Sequence, residues 1–192
     1  MEKFRQILLI LLAVVVCSCQ TKRDFFPKNI EQIEVEIIRF DQALLDINPD
    51  EAEVVIKQLY TYYVGVMYMY VEFVLGLDTR DSLGFSQIFA NYLTDTTMGF
   101  MQTNAEVQKQ FANIDDIQKE LNRGFSRIHY LYPELDIPKI YLLVSGFNAS
   151  IFAYDDIIGV GVDMYLGSDY KYYNQVVYDY QKQTMRKACV AG

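Results

Sequence analysis

The amino-acid sequence predicts an α+β domain, on three observations. Residues 139–173, KIYLLVSGFNASIFAYDDIIGVGVDMYLGSDYKYY, read as three short apolar strands separated by Gly/Asn/Asp turns. Upstream, apolar residues over Asn48–Leu75 and Asp115–Leu131 recur every three or four positions, the period of a helix. Residues 32–41, QIEVEIIRFD, alternate with the two-residue period of a strand. A helical N-terminal part is therefore expected to pack on an antiparallel β-meander.

Each element has its own signature. In residues 32–41, Ile33, Val35 and Ile37 share one face and Glu34 and Glu36 the other, as in a half-buried strand at a sheet edge, where glutamates discourage stray pairing. Asn48-Pro49-Asp50-Glu51 supplies a cap, a Pro at the first helical position and acids at the positive end of a helix. That helix is expected to reach Leu75 and to stop at Gly76. Its stretch Leu59–Leu77 holds one charge, Glu72, and invites a membrane-spanning reading. The tyrosines along it are too polar for a bilayer centre, so burial in a globular core is expected instead. Leu83–Leu93 and Thr97–Gln102 read as short helices, and Thr103 with Glu106 has the spacing of a capping box that starts another. Ile117, Leu121, Phe125 and Ile128 mark the helix that Pro133 ends. In the strand region Ile140, Leu142 and Val144 are apolar on one face and Tyr141 and Leu143 on the other, so a sheet covered on both sides is expected. Ser168-Asp169 is read as the cap of a last helix that presents Tyr173, Val177 and Tyr180 on one face and runs to Cys189.

Composition excludes several functions. Hydrophobic residues make up 52% of the chain and charged residues 22%, enough apolar material for a packed core. The formal net charge of −8 leaves no basic patch to replace counterions on a nucleic acid, and it disfavours electrostatic docking on anionic lipid heads. Three cysteines, Cys17, Cys19 and Cys189, provide no disulfide framework.

The first residues read as an export leader. Lys3 and Arg5 precede the apolar run Ile7–Val16, which suits a signal-peptide core and is too short to cross a bilayer. Cys19 follows Ser18, with Val16 three residues before it, the pattern of a bacterial lipoprotein signal; Cys17 follows the bulkier Val16 and fits less well. The expected organisation is a signal peptide over 1–18, cleavage before Cys19, lipid on the Cys19 thiol, a polar tether over 19–31 and an α+β domain over 32–192. The membrane bilayer is thus an expected partner, reached through acylated Cys19.

No residue pattern points to catalysis. His129 lies in the last turn of a predicted helix, where an imidazole suits the negative end of the dipole, and no second histidine or HExxH exists. Asp155-Asp156 sit at a turn; calcium binding there would need further oxygens, which no EF-hand spacing supplies. Asp163 and Asp169 can be imagined as an acid/base pair, yet a turn or capping role suits Asp163 better. Gly159-Val160-Gly161 lies inside a strand and is no phosphate loop. Ser145-Gly146 lacks the GxSxG frame. Cys189 has no catalytic context. The run Tyr165, Tyr170, Tyr172, Tyr173, Tyr178 and Tyr180 reads equally as core packing or as a face for a glycan or peptide. No cofactor and no metal is expected.

Several motifs carry a family resemblance. SGFN at Ser145–Asn148, IFAYDD at Ile151–Asp156, GVGVDMYLGSDY at Gly159–Tyr170 and IIRFD at Ile37–Asp41 resemble the gliding motility lipoprotein GldB family of Bacteroidota. The resemblance implies a cell-envelope lipoprotein that assembles or scaffolds a gliding or secretion machinery with envelope proteins as partners, and carries over no catalytic residue. The family is also distantly similar to zinc peptidases whose HExxH helix follows the sheet; this chain has no such helix. Relatives continue past the position of Gly192, so a C-terminally truncated member is expected. Two other functions compete: a remnant of a zinc-peptidase-like hydrolase, and a glycan- or peptide-binding surface lipoprotein.

Overall fold

Four strands form one mixed sheet in the order β1-β2-β4-β3: β1 Ile37–Arg39, β2 Lys139–Leu143, β3 Ile151–Tyr154 and β4 Ile157–Gly161. The structure is a computed structural model that describes residues 26–27, 29–45, 47–77, 82–94 and 99–191, without the side-chain surroundings of 82–84. The leader, with Cys17 and Cys19, lies outside the described residues. The sheet belongs to a unit that runs from Gln32 to Gly192.

The mixed helix-and-strand class is found, but the strands do not make an antiparallel meander. β1 and β2 are parallel, with Ile37 opposite Ile140. β2 and β4 are also parallel, from Lys139 opposite Ile157 to Leu143 opposite Gly161. Only β3 and β4 are antiparallel, closed by the Asp155-Asp156 turn, with Asp155 at φ 51°. The chain leaves β2, passes beyond β4 to lay down β3 at the sheet edge, and returns. Burial explains the order. β2 is buried from Ile140 to Leu143 and β4 is nearly so, which suits strands covered on both faces. β3 exposes Ile151, Ala153 and Tyr154, and so belongs at the edge.

The N-terminal strand is shorter than its alternation suggests. Val35 is buried, Glu34 and Glu36 face solvent, and the chain is at a sheet edge, but ladder pairing covers only three residues. Residues 33–35 are held instead by side chains of the long helix Asp115–Leu131. Ser126 Oγ accepts from Ile33 N at 2.9 Å, Asn122 Oδ1 accepts from Val35 N at 2.9 Å, and Gln118 Nε2 donates to Val35 O at 2.8 Å.

The described helices are α1 Phe40–Ala43, α2 Ala52–Tyr62, α3 Val64–Met69, α4 Ser82–Thr94, α5 Phe100–Gln110, α6 Asp115–Leu131 and α7 Tyr173–Val176. α6 has the limits its periodicity predicts. The Asn48 side chain accepts from Asp50 N, so the expected cap is present, ahead of a single 3-10 turn at Pro49–Glu51. The expected continuous helix to Leu75 is broken. At Tyr63 the backbone leaves the helical region (φ −127°, ψ 41°), and the tyrosine ring packs edge-on to Phe40 at 5.3 Å. Past α3 the chain widens into a π turn, Tyr70–Val74, which keeps Tyr70, Val71 and Val74 in the core; Gly76, at φ 65°, then ends it as expected. Among the described residues no helix is long and apolar enough to cross a membrane. Val66, Met67, Tyr70 and Val71 are instead fully buried.

Two further expectations are corrected. Thr103 starts no helix, because α5 begins at Phe100 after the left-handed Gly99; Thr103 N bonds to Gly99 O and its hydroxyl faces Tyr170. The last helix is only the turn Tyr173–Val176, followed by 3-10 turns at Lys182–Thr184 and Lys187–Cys189. Tyr173 is buried while Tyr180 is exposed, so the two do not form one apolar face.

Candidate functional site

The parallel pairing puts the carboxyl ends of β1, β2 and β4 at one end of the sheet. In open α/β sheets this is where ligands bind, because loops there diverge and present side chains together. The segments in question are Phe40-Asp41 at the start of α1, the loop Val144–Asn148 and the 3-10 turn Val162–Tyr165.

At their centre is Asp163, with 0% exposure. Its Oδ1 accepts from Ser145 N at 2.8 Å; its Oδ2 accepts from Phe147 N at 2.7 Å and from Ser145 Oγ at 3.1 Å. Two alternate backbone N–H groups thus converge on one carboxylate, the concave arrangement that binds anions. Gly146 and Phe147 are both left-handed, at φ 66° and 63°. The second is costly for an aromatic side chain, and its hydrogen bond to Asp163 offsets that cost. Burial is the larger influence on the carboxyl and outweighs the hydrogen bonds from Ser145, Phe147 and its own backbone N–H, so its pKa is pushed up to about 6.

A shell of phenols surrounds this carboxylate. Tyr70 donates to Val144 O at 2.8 Å. Tyr173 donates to Asp163 O at 2.6 Å and accepts from Leu166 N at 2.9 Å. The Tyr92 hydroxyl lies against Gly146, where a methyl group would collide with it. Burial, and to a smaller degree the charge of Asp163, pushes Tyr92 up to about 12; Tyr70 and Tyr173 are also raised, burial first. All three stay protonated at neutral pH, and Tyr70 and Tyr173 act as donors. Beside them Arg39 grips the fully buried Asp41 in a two-bond fork, Nε to Oδ1 at 2.8 Å and Nη2 to Oδ2 at 2.7 Å. Gln108 Nε2 donates to the same Asp41 oxygen at 2.8 Å, and Arg39 Nη1 donates to Phe111 O at 2.7 Å, so α5 is tied to the end of β1.

The chemistry of this arrangement is that of a clasp. Ser145 Oγ is buried, donates to Asp163 and accepts from Ala149 N at 3.3 Å. His129 lies in the last turn of α6, as its spacing predicts. Asp169 is exposed, whereas Asp163 is sealed, and the carboxyl of Asp163 spends its bonds on the loop after β2. Asp155 and Asp156 are exposed at the β3–β4 turn. Gly159 and Gly161 permit close approach: a methyl group would overlap the Phe152 ring at the first and the Ala149 carbonyl oxygen at the second. Cys189 is a free thiol in the last 3-10 turn. Among the described residues no three His, Cys, Asp or Glu side chains converge so as to hold a metal ion. Cys19 lies outside the described residues. Sequence reasoning missed the Ser145–Asp163 bond, the Arg39–Asp41–Gln108 network and the roles of Tyr70 and Tyr92. The available signal was that SGFN and VDMY each follow an apolar strand; it becomes a pairing only once the strands are known to be parallel.

No curated protein and no solved structure matches the chain. A family model described as gliding motility protein GldB matches residues 23–191, a span that holds all four strands and the Asp163 clasp, and the chain therefore belongs to the GldB family.

Proposed function

We propose that this GldB-family chain is a lipid-anchored protein of the bacterial cell envelope that works without catalysis, holding envelope proteins together in a gliding- or secretion-type assembly. The observation that carries the reading is the closed clasp. The groups nearest in type to a catalytic set, Ser145 and Asp163, are both fully buried and bond to one another's loops. Membership of a gliding-motility family supports the setting, and the Lys3/Arg5, Ile7–Val16 and Cys19 pattern supports the anchor. Exposed aromatics such as Tyr62, Tyr68 and Phe73 on the helical layer supply apolar area for a partner.

The test has two arms. Cells fed an alkyne analogue of palmitate should label the wild-type chain, and Cys19→Ala should abolish the label; an unlabelled wild type sinks the anchor. Photo-crosslinkers placed at Tyr62 and Phe73 in intact envelopes should trap the same discrete envelope proteins repeatedly. Purified protein that carries stoichiometric zinc and cleaves peptides would replace this reading with the hydrolase.

A further inference from the structure

A second site borders the turn that carries Asp163, where the C-terminal segment folds back over it. Leu166 and Arg186 form an isolated antiparallel bridge, and Gly167 N bonds to Met185 O at 2.8 Å. The fold-back leaves a cleft of about 340 Å³ lined by Ser150, Met164, Tyr165, Tyr180, Gln181, Thr184 and Met185. This volume falls at the small end of the ~300–1,000 Å³ typical of ligand sites.

Three properties of the cleft point to one ligand chemistry. First, the lining holds no carboxylate, ammonium, guanidinium or imidazole side chain. Of the cations next to these residues in the chain, Lys182 is occupied, its Nζ donating to Asp179 and to Asn174, both at 2.6 Å, and Arg186 is exposed and lies outside the lining. An anionic or cationic ligand would lose its hydration with no counter-charge in the lining to replace it. Second, Tyr180 at the rim stacks with Tyr178. The rings are 10° from parallel with centroids 5.8 Å apart, and the two residues are 72% and 73% exposed. The face of a phenol ring is electron-rich and attracts weakly polarised C–H groups. Third, the wall behind the rings carries neutral donors and acceptors in fixed positions. Gln181 Oε1 accepts from Tyr178 N at 3.0 Å, which orients the amide and leaves Nε2 to donate. Thr184 Oγ1 donates to Gln181 O at 3.2 Å and keeps lone pairs to accept. Ser150 and Tyr165 add two hydroxyls to the lining, with the Ser150 hydroxyl turned as a donor toward Tyr165.

We propose that this cleft binds a neutral saccharide of one or two rings. The C–H face of a pyranose lies on Tyr180, and its hydroxyls bond to Gln181, Thr184 and the Ser150–Tyr165 pair. The proposal goes beyond the scaffolding role and does not depend on acylation of Cys19. It also divides the tyrosine run: Tyr173 is core, Tyr170 is half-buried against Thr103 and Phe147, and Tyr172 packs on Tyr170, whereas Tyr165 and Tyr180 line the cleft and Tyr178 stacks on Tyr180.

The test uses the full chain in detergent micelles with five probes: cellotetraose, maltotetraose, mannotetraose, tetragalacturonate as the charged comparison, and a decaproline peptide. Binding is followed by saturation-transfer NMR and titration calorimetry. At least one neutral tetrasaccharide should bind, with little dependence on salt. Tyr180→Ala and Gln181→Ala should each weaken it by about tenfold or more, the scale of removing one good stacking surface or hydrogen bond. Tyr132→Ala, at an exposed tyrosine just past α6, should leave it unchanged. Tyr180 is on the surface, so its truncation leaves the fold intact. The proposal is overturned if no neutral sugar binds, if tetragalacturonate or decaproline binds as tightly, or if Tyr180→Ala binds undiminished. None of these results bears on acylation or crosslinking, so failure here is distinguishable from failure of the scaffold.

Discussion

Asp163 is a carboxyl group in a fully buried site whose bonds all come from neutral donors, and its titration follows from that. Its folded pKa of about 6 lies above the ordinary aspartate value of 3.8. A raised value means that protonation favours the folded state: the contribution is complete below about pH 4 and is lost as pH rises through 6. For a shift of this size the change between pH 4 and pH 7 is about 2 kcal/mol. Urea denaturation of wild type and Asp163→Asn should therefore show the difference in stability moving toward the wild type by that amount on acidification. Parallel pH profiles would refute the assignment. A second prediction concerns Tyr70, whose buried hydroxyl satisfies Val144 O. Tyr70→Phe should cost about 1–2 kcal/mol in the same measurement, since it leaves a buried acceptor unpaired. The sequence marks Asp163 as a turn carboxylate. It does not reveal that the group it serves is Ser145, eighteen residues upstream, because that partnership depends on which strands are neighbours.

Elements defined by their own period were legible, and those defined by a neighbour were not. α6 could be delimited from Ile117, Leu121, Phe125 and Ile128 alone, because one apolar stripe against a core sets a 3.6-residue repeat. The polar face of that helix was silent, although it carries the hydrogen bonds that hold residues 33–35. Asn122→Ala should release Val35 N, cost about 1–3 kcal/mol and speed amide exchange at Val35 more than at Leu142. Equal exchange at the two amides would show that the segment is held by packing alone. The β2–β4 pairing was hidden because short Gly/Asn/Asp turns look alike whether the next strand lies beside the last or beyond it. Gly161 is the cue in retrospect, since its missing side chain admits the Ala149 carbonyl at the crossing. Gly161→Ala should destabilise by about 1–3 kcal/mol, because a backbone oxygen cannot turn aside as a side chain can. A variant of wild-type stability would mean that the loop has room to move.

Over the whole unit from Gln32 onward, one continuous apolar cluster joins the sheet to the helices, from Phe40 through Tyr70 and Phe89 to Leu142, Val162 and Tyr173. Unfolding of this unit should thus be a single cooperative transition, with tyrosine fluorescence and far-ultraviolet circular dichroism coincident in urea. Separated transitions would mean that the helical layer and the sheet fold apart. The Arg39–Asp41–Gln108 network joins the two across a sequence distance of about seventy residues. Asp41→Ala should cost about 3–5 kcal/mol, because the Arg39 guanidinium, only 16% exposed, would be left without its counter-charge. The sequence by itself determined the fold class, the position of most helices, the apolar strands and the family, since these follow from local period, local turn chemistry and motif. Tertiary structure alone decided the parallel strand order, the kink at Tyr63, the clasp around Asp163 and which tyrosines face solvent. Each of those depends on residues far apart in the chain meeting in the fold, and an amino acid's neighbours in sequence carry no record of its neighbours in space.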